Sequence, residues 1–141
     1  MLLKTLSLAA VAALSLAAPA EAGDVTVTLT GVEARGGVLL ASLQTQGQFM
    51  QPAGTYGERI VDPASGAVRV TFRNVTPGDY ALMVMHDEDS DGQMKRNGYM
   101  PAEGWAMVNA DALRGPPTFD QVKFSVSASG TAISVPMSYP R

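Results

Sequence analysis

The chain has 141 residues, 46% of them hydrophobic, with 13 acidic and 10 basic side chains, a formal net charge of -3, one histidine and no cysteine. Its basic residues are scattered, with only Lys95 and Arg96 adjacent, so the positive stripe that a phosphate backbone requires is missing and nucleic acid is excluded as an expected partner. Without cysteine there is no disulfide, no thiol nucleophile and no cysteine-borne lipid anchor, so stability must come from a buried core.

Met1 to Lys4 gives a positive start, an apolar run follows from about Leu6 to Ala18, and Ala20-Glu21-Ala22 supplies a small-residue cleavage site. This pattern predicts a secretory signal peptide over residues 1–22 and one domain over residues 23–141, exported to the periplasm or the medium. The apolar run is shorter than the roughly 20 residues that span a bilayer, and no later stretch is longer, so no transmembrane segment is expected.

In the mature part, Val25, Val27 and Leu29 alternate with Thr26, Thr28 and Thr30, the pattern of a half-buried strand. Glu33 to Gly37 reads as a turn and Val38 to Leu43 as a second strand, the return arm of a hairpin. Gln44 to Ser65 holds Gly47, Pro52, Gly54, Gly57 and Pro63 with little periodicity and reads as a long connection. Val68, Val70 and Phe72 alternate with Arg69, Thr71 and Arg73 in a third strand, and Asn74 to Asp79 turns the chain. Tyr80 to Met85, the fourth strand, is apolar on both faces and needs cover on both. The expected cover is Asp87 to Gln121, a segment without a period whose Met94, Tyr99, Met100, Trp105, Met107, Val108 and Phe119 need burial. Val122, Phe124 and Val126 mark a fifth strand, and Ile133, Val135 and Met137 a last one, whose Pro136 belongs on a sheet edge. Six short strands with Gly and Pro turns predict an all-β fold, a single Greek-key β-sandwich with one long ordered loop after the fourth strand.

Chemistry concentrates where the fourth strand ends. The run His86-Asp87-Glu88-Asp89-Ser90-Asp91-Gly92 sets carboxylates on alternate residues before a glycine, as in the first half of an oxygen-ligand calcium loop. Counted from Asp87, position 9 is Lys95 and position 12 is Gly98, so the usual second half is missing. A carbonyl near Gln93 and the Glu103 carboxylate are the candidates to complete a shell. The expectation is a weak Ca²⁺ site on Asp87, Asp89 and Asp91, and the competing one is a metal-free loop in which Lys95 pairs with the aspartates. His86, Tyr99, Glu103 and Trp105 make up a candidate ligand surface, with Tyr99 and Trp105 offering flat faces for stacking and His86 orienting the loop. Methionines 83, 85, 94, 100 and 107 are soft ligands for copper near that histidine. No spaced His-Met motif accompanies them, and methionine commonly fills irregular cores. For catalysis there is one histidine, no Gly-x-Ser-x-Gly elbow and no His-Glu-x-x-His helix. That leaves Glu103 with an aspartate of the loop as a glycosidase-like acid and base pair.

The ordered set His86-Asp87-x-Asp89-x-Asp91-Gly92, Pro101-x-Glu103-Gly104-Trp105, Asn109, Gly115-Pro116-Pro117-x-Phe119 and Phe124, with the turn Pro77-Gly78-Asp79-Tyr80, resembles domain-of-unknown-function family 2141 of exported bacterial proteins over nearly the whole mature chain. The resemblance implies a small exported β-sandwich related in shape to prealbumin-like or carboxypeptidase-regulatory-like modules, with no known reaction. It departs at Lys95, where the family commonly carries an aspartate, and at Met107-Val108, where Phe-Ser is usual. The leading expectation is a non-catalytic exported module whose long loop recognises an envelope, polysaccharide or protein partner. A hydrolase using Glu103 and a metal-free structural envelope protein are the alternatives.

Overall fold

A computed structural model describes residues 22–141; apart from Ala22, the predicted signal peptide lies outside the described residues. The chain runs through β1 (Gly23–Val32), β2 (Val38–Gln44), β3 (Tyr56–Val61), β4 (Gly66–Val75), β5 (Gly78–Asp87), β6 (Arg96–Asn97), β7 (Met100–Pro101), β8 (Gly104–Ala106), a one-turn helix α1 (Phe119–Val122), β9 (Lys123–Val126) and β10 (Thr131–Pro136). Single 3-10 turns sit at Gln46–Gln48 and Ala110–Ala112. The molecule is mostly β, as the alternating patterns require, and among the described residues no helix is long and apolar enough to cross a membrane.

The strands form two principal sheets. In the first, β1 lies between β4, which it meets antiparallel, and β10, which it meets parallel; in the second the order is β3-β2-β5-β8, with β9 also pairing β5. Strands β6 and β7 make a small separate hairpin. Pro136 falls on β10, an edge strand, where its missing N–H costs no ladder bond. Val25, Val27, Leu29 and Phe72 from the first sheet share one buried cluster with Leu39, Ala41, Leu43, Leu82 and Val84 from the second. Burying each of the larger of these side chains contributes about 1.5 to 3 kcal/mol.

The other face of β5 is covered as its composition demands. Ala81 joins Met107, Phe119 and Val122 in a second buried cluster, with Met83, Trp105 and Phe49 packed against it. Phe49 and Phe119 meet edge to face, with ring centroids 5.9 Å apart. Cover therefore comes from the following segment and also from the 3-10 turn after β2.

Three expectations are corrected. β1 and β2 are not a hairpin, because among the described residues β1 pairs only within the first sheet and β2 only with β3 and β5. Gly36 and Gly37, with φ of 69° and 64°, let the chain cross between the sheets. A hairpin and a crossing turn both send alternate side chains into the same core, so periodicity cannot separate them. The connection from Gln44 to Ser65 contains β3, whose residues are mostly exposed and therefore carry little apolar signal. The long loop after β5 is likewise divided by β6, β7 and β8 and ends in α1, so Val122 closes a helix instead of opening a strand. Thr118 and Gln121 cap that helix reciprocally, which fixes its start.

Candidate functional site

Strand β5 ends in His86 and Asp87, both buried. Antiparallel pairing of Met85 with Trp105 and His86 with Gly104 returns the chain alongside, which brings Glu103 back to the acidic loop. Carboxylate oxygens of Asp87, Asp89, Asp91 and Glu103 consequently lie within 4.8 Å of one another. Asp87 and Glu103 are only 1% and 2% exposed, whereas Asp89 and Asp91 are at the surface.

The two buried carboxylates organise the backbone around them. Asp87 accepts the Asp91 N–H on Oδ1 at 3.1 Å and the Gly92 N–H on Oδ2 at 2.7 Å. Glu103 accepts the Glu88 N–H at 2.8 Å and the Lys95 N–H at 2.9 Å, bracketing the loop from both sides. Asp91 accepts from the Gln93 N–H at 2.9 Å. Ser90 and Gly92, at φ of 57° and 76°, supply the bend that folds these amides inward. Burial pushes the Asp87 carboxyl above its ordinary range, with the Gly92 and Asp91 N–H bonds pulling the other way. A hydrogen bond from Lys95 holds Asp89 down at about 2, and the same pair raises the Lys95 ammonium. The Lys95 ammonium sits directly on Asp89 Oδ2. The donors are all carboxylate oxygens, each with a second lone pair beyond the one its N–H bond uses, which is the ligand type a hard cation takes.

His86 lies beside this cluster and serves a different purpose. Its Nε2 is 2.7 Å from the Gly36 carbonyl and its Nδ1 is 2.8 Å from the Tyr139 hydroxyl. A carbonyl can only accept, so Nε2 carries a proton, and Nδ1 pairs with the Tyr139 hydroxyl. The Tyr139 oxygen in turn accepts the Glu33 N–H at 3.1 Å. Both ring nitrogens thus have protein partners, while Met83 and Met107 pack in the second cluster. Arg35 lies over the Tyr139 ring, 4.6 Å from its centroid, and pairs with Glu33 and Glu88. Sequence reasoning missed Tyr139 and Arg35; a lone tyrosine near the C-terminus and an arginine in a turn carry no local signal of such a contact.

Of the four candidate surface residues, strand pairing sets His86, Glu103 and Trp105 near one another at the end of β5, while Tyr99 lies in the turn of the β6–β7 hairpin. His86 and Glu103 are buried, at 0% and 2% exposure. Tyr99 is 92% exposed at the tip of the β6–β7 hairpin, next to Met100, and Trp105 is half-buried in β8. An open groove of about 500 Å³ runs between that hairpin and the C-terminal residues, lined among others by Asn97, Met100, Pro101, Trp105, Tyr139 and Arg141. Each Glu103 oxygen accepts one backbone N–H, from Glu88 and from Lys95, and the side chain is 2% exposed.

No curated protein and no solved structure matches the chain significantly. The family model described as an uncharacterized protein conserved in bacteria (DUF2141) matches residues 27–134, from within β1 through most of β10 and across the whole acidic loop, and the chain belongs to that family.

Proposed function

We propose that the protein is a non-catalytic exported module in which Asp87, Asp89, Asp91 and Glu103 hold a hard divalent cation, Ca²⁺, that fixes the segment between β5 and β9 as a recognition surface for an envelope, polysaccharide or protein partner. The observation that carries this reading is the convergence of four carboxylates within 4.8 Å, two of them buried, against one ammonium, that of Lys95. Carboxylates so close repel one another, and a divalent cation offsets what one lysine leaves uncompensated. Calcium fits better than magnesium because an irregular loop of oxygen ligands suits its flexible coordination, whereas magnesium demands near-ideal octahedral geometry.

A second reading has its own support. The Lys95 contact with Asp89 and the N–H bonds to Asp87 and Glu103 form a loop that closes without metal. Thermal melting in millimolar Ca²⁺, in Mg²⁺ and with chelator separates the two. Calcium at about ten times its dissociation constant should add roughly 1.4 kcal/mol to the folded state. Identical melting in calcium and in chelator transfers the loop to the Lys95 reading.

The fold reading is a single Greek-key β-sandwich of the prealbumin-like or immunoglobulin-like kind, supported by two sheets that contribute to one buried cluster. Export rests on the leader pattern of residues 1–22. Cleavage after Ala22 would leave β1, which begins at Gly23, intact.

A further inference from the structure

The β6–β7 hairpin carries a reactive pair that neither the acidic loop nor the core uses. Arg96 pairs with Pro101 and Asn97 with Met100, so Gly98 and Tyr99 form a two-residue turn. Gly98 has φ of 65°, a value that suits glycine in the first place of such a turn. Asn97 and Gly98 are both exposed, and nothing lies within 4 Å of where a side chain on Gly98 would begin. The Gly98 N–H has no backbone partner among the described residues. The hairpin is two residue pairs long and stands apart from both main sheets, so opening it costs little.

We propose that Asn97 is a site of spontaneous deamidation that alters the hairpin as the protein ages. The Gly98 amide nitrogen attacks Asn97 Cγ; the new C–N bond forms as the Cγ–Nδ2 bond breaks, and ammonia leaves with the proton from the Gly98 nitrogen. Water then adds to one carbonyl of the five-membered succinimide and opens it to aspartate or isoaspartate. The net change is asparagine plus water to acid plus ammonia, with no oxidant or reductant.

The chain has two other asparagines, and both are poorer sites. Asn74 precedes Val75 and Asn109 precedes Ala110, whose Cβ atoms crowd the attacking nitrogen. The Asn109 amide is also engaged, donating to the Gln121 carbonyl at 3.3 Å. At residue 97 either product adds a negative charge two positions from Lys95. Isoaspartate in addition inserts a backbone carbon, which breaks the pairing of residue 97 with Met100 and moves Tyr99 and Met100, the exposed apolar tip.

The purified protein is held in warm, mildly alkaline buffer beside the same chain unfolded in urea, and both are followed by intact mass and peptide mapping. The expected result is a gain of about 1 Da at residue 97, as both aspartate and isoaspartate. The folded rate should fall within about tenfold of the unfolded one, an opening cost of roughly 1.4 kcal/mol. Asn97→Gln, which keeps an amide at the exposed position, should melt like wild type and show no gain there. Protection at residue 97 beyond tenfold in the folded chain, or faster conversion at Asn74 or Asn109, overturns the proposal.

Discussion

A histidine with no exposed surface must satisfy both ring nitrogens inside the protein or be costly to bury. His86 does so through the Gly36 carbonyl and the Tyr139 hydroxyl, which tie the turn after β1 and the C-terminal segment to the end of β5. His86→Phe should therefore cost about 2 to 4 kcal/mol in urea unfolding, because two polar groups lose their partner while the ring volume is kept. Tyr139→Phe should cost about 1 to 2 kcal/mol, leaving His86 Nδ1 and the Glu33 N–H unpartnered. A wild-type midpoint in either variant would show that water replaces these bonds. Gly104 needs its missing side chain, since a Cβ there would overlap the Tyr139 ring. Gly104→Ala should displace that ring and disturb the same network.

The acidic loop behaves as an element because two buried carboxylates fix its backbone and two exposed ones remain to respond to ions. Asp89→Ala should abolish any calcium-dependent rise in melting temperature, and Lys95→Asp, which replaces the internal ammonium by a fifth carboxylate, should enlarge it. Glu103→Gln should lower stability with or without calcium, since its oxygens bracket the loop at Glu88 and Lys95. The ion pair itself has a pH signature. Asp89 is held at about 2 when folded, below its ordinary value, so its contribution is present above the unfolded pKa of about 3.9 and is lost as pH falls toward 2. Both partners are well exposed, so solvent screening keeps the effect small. The difference in melting temperature between wild type and Lys95→Met should accordingly shrink to nothing on acidification.

For the whole molecule, stability without disulfides depends on the cluster shared by the two sheets. Leu43 and Leu82 have no exposed surface and reach that cluster from the second sheet. Leu43→Ala should cost about 2 to 5 kcal/mol, the spread depending on how far the site collapses. The C-terminal residues also bridge the sheets, since Met137 donates to Thr30 while Ser138 exchanges both backbone bonds with Trp105. Removing residues 137–141 should expose the edge of β8 and release Tyr139 from His86. Export is checked by intact mass: protein from the envelope or medium should begin at Gly23, and a full-length mass in the cytosolic fraction alone would refute cleavage.

The all-β class, the positions of β1, β2, β4, β5 and β10, the need to cover both faces of β5, and the family itself were legible in the sequence. Each rests on short-range periodicity or on motifs whose spacing is local. So was the alternation of Asp87, Asp89 and Asp91, because three carboxylates on one bend are adjacent whatever the fold. Tertiary structure alone decided the rest. It set β1 and β2 in different sheets, paired β1 with β10 in parallel, and found a strand in the exposed residues Tyr56–Val61. It also brought Glu103 and Tyr139 to the end of β5 through the pairing of β8 with β5 and the return of the C-terminus. Those partners are distant along the chain, and a sequence records which side chains seek burial but not which distant strand supplies it.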